Sequence, residues 1–260
     1  MDNKKNERIN QENYNNYGTL MKIVEYTNAN DIIVEFQDKY KARVHGAYKE
    51  FKKGSIKNPF DKEVFGVAFC GVGDYKPTIN GKITIEYRHW YDMIRRCYDP
   101  YRLNEFPTYI DCYVCDEWLN FQNFAKWFHE HYYEIEGEKM HLDKDILYKG
   151  NKIYSSENCI FVPERINYLF LQSNAIRGKC PIGVNYSKSA NKYQASCNIL
   201  DDNLKSKKIY LGLYKDKFEA FLTYKTFKEK HIKQVADEYK EFIPNKLYET
   251  MYEYKVEIDD

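Results

Sequence analysis

The residues best suited to chemistry lie between His141 and Asn167. The segment His141-Leu142-Asp143-Lys144-Asp145-Ile146-Leu147 reads as a strand, Lys149-Gly150-Asn151-Lys152 as a turn, and Ser155 to Pro163 as the lead into a helix that carries Asn167. An acid on the first strand and an amide on the helix supply hard oxygen donors, which suit Mg²⁺ or Mn²⁺. A cation held there stabilises charge on a phosphodiester leaving group, and a second group must then activate water. Alternate residues of a strand share a face, so His141 and Asp145 project with Asp143 and can both approach the same ion.

A second pattern fills residues 178–240. Gly183 to Tyr186 reads as a short strand, Lys192 to Ile199 as a longer one, and Lys208 to Tyr214 as a third. Along the middle strand Tyr193, Ala195, Cys197 and Ile199 face one way, and Lys192, Gln194, Ser196 and Asn198 the other. Ile209, Leu211 and Leu213 continue the apolar face, which a helix opening at Asp216 covers with Phe221 and Leu222. The opposite face carries side chains that reach base edges and phosphates. Between Arg177 and Lys208 seven basic residues stand against Asp201 and Asp202, a local excess that the net charge of +1 conceals. The expected DNA-contacting set is Lys188, Lys192, Gln194, Ser196, Asn198, Lys207, Lys208 and Tyr210.

The first segment resembles the HNH endonuclease family, in particular its phage homing-endonuclease branch with a His-Asn-Asn pattern. Asp143 matches the metal-binding Asp, Asn158 the middle Asn and Asn167 the helix ligand. Tyr154-Ser155-Ser156-Glu157-Asn158-Cys159, Trp90 to Tyr98 and Val114 to Phe121 are similar to segments that accompany the motif. The resemblance implies a ββα fold binding one metal ion, with Asn158 tying the loop that aligns the site. Where the family carries its general-base His, this chain has Lys144. A Lys of ordinary pKa, ~10.4, is protonated at neutral pH and cannot accept a proton. It can donate to phosphate, or act as a base if burial lowers its pKa, against which Asp143 and Asp145 push. Three readings stay open: His141 or Lys144 takes the base role; the site binds metal and DNA without cutting; or the scaffold serves another purpose.

The second pattern resembles the AP2 DNA-binding domain, a three-stranded antiparallel sheet with one helix, which lays its sheet in the major groove. The matching residues are Gly183-Val184, Lys192-Tyr193-Gln194-Ala195, Tyr210-Leu211-Gly212 and Phe218 to Tyr224. Together the resemblances imply a phage-type DNA endonuclease that uses Mg²⁺ (or Mn²⁺) on double-stranded DNA. A single site makes one nick per visit, so double-strand cutting needs a homodimer or two events. The rival reading is a non-cleaving DNA-binding protein, or an anti-CRISPR-like inhibitor that blocks a host defence complex.

The fold expected to position these residues is α+β. Its parts are a disordered arm (1–17), a small β module (18–62), a Gly-rich linker (63–84), helices plus the ββα unit (85–176), the AP2-like domain (177–242) and an acidic tail (243–260). The helix from Ile85 carries Tyr87, Trp90, Tyr91, Ile94 and Tyr98 at helical spacing, an aromatic stripe that reads as core. No run approaches the ~18 apolar residues of a membrane span. The opening Met1 to Glu7 lacks the apolar core of a secretory signal, so the expected compartment is the cytoplasm, here of a bacterial host. Seven cysteines read as reduced thiols, including the close pair Cys112 and Cys115.

Overall fold

In the computed structural model, which describes residues 7–171, 180–201, 204–258 and 260, helices and several small sheets form an α+β fold. The chain divides into two compact units, Met1–Glu130 with Lys152–Ser155, and His131–Asn151 with Ser156–Asp260.

The first unit begins with an antiparallel meander, β1 (Glu12–Tyr14), β2 (Leu20–Asn28), β3 (Asp31–Phe36) and β4 (Arg43–Gly46), followed by α1 (Tyr48–Lys53). Alternation sends Met21, Ile23, Ile32, Val34 and Phe36 into one core with Phe51 and Ile56. Glu12–Tyr14 pairs with β2, so the described part of the expected disordered arm is ordered. The reason lies in its asparagines. Asn15 is 4% exposed. Its Nδ2 donates to Asp61 Oδ2 at 2.6 Å, and its Oδ1 accepts from the Tyr17 and Thr19 amides. Side chains that suggest solvation are instead satisfied by neighbouring amides and by a carboxylate distant in sequence.

The glycine-rich stretch is also packed. Phe69 exchanges backbone hydrogen bonds with Leu119 and Phe121, each 3.0 Å, and Ala68 is fully buried. Gly71 and Gly73 lie where an added Cβ would overlap the Asn120 and Gln122 side chains. Here glycine permits close approach rather than freedom. The helix α2 (Ile85–Tyr98) buries Trp90, Met93, Ile94 and Cys97, and α3 (Phe121–His131) buries Phe121, Phe124, Ala125 and Phe128. Trp90 Nε1 donates to Trp118 O at 2.7 Å, which satisfies the one polar atom of a fully buried ring. Cys97, Cys112, Cys159 and Cys197 are buried.

The second unit holds both functional patterns. The strands β5 (Met140–Asp143) and β6 (Ile160–Pro163) pair antiparallel, and α4 (Glu164–Leu169) starts as β6 ends. The sheet β7 (Val184–Ser187), β8 (Lys192–Leu200) and β9 (Ser206–Tyr214) has that same spatial order. One long helix, α5 (Lys217–Tyr239), serves both parts. It opens on Asp216, whose Oδ1 accepts from the Phe218 and Glu219 amides. Its first half places Ala220, Phe221 and Tyr224 on Val184, Ala195 and Cys197. Its second half places Ile232, Val235, Ala236 and Tyr239 on Val162, Ile166 and Leu169.

The expected acidic tail is structural. A further helix, α6 (Asn245–Glu253), buries Leu247 and Met251 in the second of these cores, and Val256 enters the first. Acidic residues occupy the solvent side of an amphipathic helix, so charge alone conceals its buried stripe. The expected boundary at 176/177 lies outside the described residues. No helix among the described residues is long and apolar enough to cross a membrane.

Candidate metal centre and nucleic-acid face

The register of β5 and β6 sets the first site. Asp143 pairs with Ile160, Leu142 with Phe161 and His141 with Val162. Met140 and Leu142 are buried, while His141 and Asp143 take the less buried face together. The helix α4 packs on both strands and brings Asn167 to this part of the unit.

Asp143 ends its strand chemically. Its Oδ1 accepts from the Asp145 and Ile146 amides, both at 2.7 Å, which turns the chain out of extended geometry. Among the described residues no hydrogen bond reaches Oδ2. Burial pushes the Asp143 carboxyl pKa up, partly opposed by those two backbone donors and by Lys144. A partly buried carboxylate with one oxygen unclaimed has the donor chemistry of a hard-cation ligand. The Asn167 side chain likewise makes no hydrogen bond among the described residues, so its amide oxygen is available. A carboxylate and an amide oxygen are the donor types that Mg²⁺ or Mn²⁺ takes, while among the described residues no group of three or more His, Cys, Asp and Glu is placed to hold a metal ion.

Two sequence expectations change here. Asp145 does not share the strand face, because the strand stops at Asp143. Both Asp145 oxygens instead accept from Lys144 Nζ at 2.7 Å. Lys144 is 5% exposed, and its third donor goes to Asn151 O at 2.9 Å. With all three N–H directions committed, the group acts as a cationic strut and not as a proton acceptor. Asn151 completes the tie: its Nδ2 donates to Lys144 O at 2.8 Å, and Asn158 Nδ2 donates to Asn151 Oδ1 at 3.2 Å. Asn158 therefore connects through Asn151 to the chain just beyond Asp143. Sequence reading passed over Asn151. The signal available was an Asn following Gly150, in a turn where Asn side chains commonly bond the backbone.

In the second site, directly paired residues share a face. Gln194 faces Asn185 and Leu213, Ser196 faces Tyr210, and Asn198 faces Lys208. Tyr210 is 59% exposed, and Asn198 and Lys208 are exposed as well. Lys192 opposes Ser187 on this face, and Lys188 stands exposed in the turn between β7 and β8. Two members of the expected set leave it. Lys207 pairs with Ile199 and so belongs to the face that α5 covers. Ser196 is 7% exposed, too deep to reach a base edge.

The apolar alternation also breaks. The register shifts between Ala195 and Ser196, which leaves Leu211 as an extra residue on β9. Gly212 there adopts φ +139°, a region favourable to glycine. Beyond the bulge Leu213 points outward, 39% exposed, and Tyr214 takes the core side. Of the basic residues counted in the sequence, Arg177 and Lys179 lie outside the described residues, as does Asp202.

Comparison with protein-family models, with curated proteins and with solved structures finds no match.

Proposed function

We propose that the protein is a metal-dependent endonuclease acting on duplex DNA, held there by the sheet face that carries Lys192, Gln194, Asn198, Lys208 and Tyr210, with Lys188 at its rim. One observation carries this reading. An acid at the end of β5 has one oxygen fixed by two backbone donors and the other unclaimed among the described residues, and the paired strand runs directly into a helix bearing Asn167. Asp143 and Asn167 would hold the ion, and Mg²⁺ or Mn²⁺ so bound supplies charge stabilisation for the leaving oxygen. His141, on the same face as Asp143, is the group suited to take the proton from water, since a neutral imidazole nitrogen accepts one. Asn158, through Asn151, fixes the loop behind Asp143.

A specific observation favours a second reading. The residue aligned with the family's base is an ammonium locked to Asp145, which suits a scaffold that grips DNA, or a host defence complex, without cutting. Incubation of supercoiled plasmid with the protein and Mg²⁺ separates the two. The first reading expects nicking that Asp143→Ala and Asn167→Ala abolish while duplex binding persists. Intact duplex binding with no nicking by wild type eliminates the enzyme.

A further inference from the structure

The strand β8 outruns its neighbour β7. Their pairing reaches Val184 opposite Ala195 and stops, so among the described residues no strand lies beside the β8 edge from Cys197 onward on that side. A notch of about 460 Å³ opens there, lined by Tyr168, Ser196, Asn198, Lys208, Tyr224 and Lys228 among others. Its size falls within the roughly 300–1,000 Å³ of small-ligand pockets.

Its chemistry is one-sided. Lys228 is 8% exposed and makes no hydrogen bond or ion pair among the described residues. A buried ammonium without a counter-charge is costly to maintain. Burial pushes its pKa down, opposed only by the Cys197 thiol. Lys208 contributes a second ammonium, and Asn185 and Asn198 contribute side-chain amides. The exposed backbone adds a donor. Ser196 N–H reaches Gly183 O at 2.9 Å. N–H groups two residues apart on a strand point the same way, so that of Asn198 is directed into the notch. Among the described residues no carboxylate lines it.

We infer that this notch binds a phosphoryl group, seated between the Lys228 and Lys208 ammonium groups and the Asn198 amide. The group could belong to a mononucleotide or to the backbone of a bound strand; the recognition chemistry is the same. The notch shares Asn198 and Lys208 with the proposed duplex face but involves neither Asp143 nor Asn167, so Lys228 is the residue that separates the two readings.

Titration calorimetry of the full chain with inorganic phosphate, with deoxyadenosine monophosphate and with a short duplex tests it. Lys228→Met keeps the apolar stem and removes the charge. A weakening of about tenfold or more is expected, as for loss of a charge-assisted contact. Loss confined to phosphate and mononucleotide assigns the site to a free phosphorylated ligand. Loss of duplex affinity, with phosphate competing in wild type, assigns it to the strand. Should Lys228→Met fail to fold, Lys208→Ala combined with Asn198→Ala, both at exposed positions, replaces it and is read with phosphate and mononucleotide alone, because both residues also stand on the proposed duplex face. Absence of saturable binding by every probe, or affinities equal to wild type in the variants, overturns the inference.

Discussion

Replacing Lys144 by Met separates the structural account of this residue from a chemical one. Its Nζ donates to both Asp145 oxygens at 2.7 Å and to Asn151 O at 2.9 Å. The two halves of that contact differ in worth. The Lys144 side chain is 6% exposed, but that of Asp145 is 50% exposed. The carboxylate can rehydrate when its partner leaves, so the ion pair contributes up to about 1 kcal/mol. A charged donor on a carbonyl contributes about 1.5–3 kcal/mol. Met fills the same channel and removes the cost of burying an ammonium, which offsets part of the loss. The expected net destabilisation is about 2 kcal/mol, or a urea midpoint lower by about 1 M at a typical slope. Hydrogen-exchange mass spectrometry should localise the loosening to residues 143–158, because Asn151 and Asn158 are tied through the same group. Plasmid nicking, where wild type shows it, should persist in the variant at a temperature where it stays folded. An unchanged midpoint together with lost nicking would refute the strut and make Lys144 the chemical group.

Three further outcomes follow from the same geometry. Asp143 has a folded pKa above its ordinary 3.8, so its contribution to stability is fully present below that value and is lost as pH rises through the raised folded pKa. Urea midpoints of metal-free wild type should therefore fall relative to Asp143→Asn as pH is raised across this window, and parallel curves would contradict the assignment. Gly183 sits at φ +74° with Tyr224 where its Cβ would be, so Gly183→Ala should cost about 1–3 kcal/mol from overpacking, with a further loss from the backbone; thermal unfolding measures it, and a neutral result would mean that Tyr224 moves freely. Leu247 is fully buried, so Leu247→Ala should cost about 2–5 kcal/mol in denaturant unfolding, whereas a dispensable tail would show no change.

Periodicity alone made several elements legible. The period-two runs at Met21 to Tyr26 and Asp31 to Phe36 became strands, and the aromatic stripe of α2 became core, because one-sided burial imposes those spacings on sequence. The alternation of Tyr193, Ala195, Cys197 and Ile199 likewise faced α5. The misreadings share a cause. Polar composition at 1–17 and 243–260 suggested solvated ends, yet Asn15 satisfies its amide on Asp61, and Leu247 and Met251 hide a buried stripe beneath surface acids. Glycines at 71 and 73 suggested a linker but provide clearance for Asn120 and Gln122.

For the candidate site, the sequence determined which residue types could do chemistry and their separation along the chain. Only the tertiary structure decided which of them were available. Strand geometry placed Asp145 beside Asp143, but the Asp143 carboxylate captured two backbone donors and the strand ended at Asp143, handing Asp145 to Lys144. Lys228 gave no sequence signal, since a lysine at helical spacing reads as a solvated position. It is buried where α5 passes the sheet edge, at the notch beside β8 beyond the end of β7. Spacing records what neighbours along the chain require of each other, whereas the partner of a charge is chosen by whichever distant segment excludes water from it.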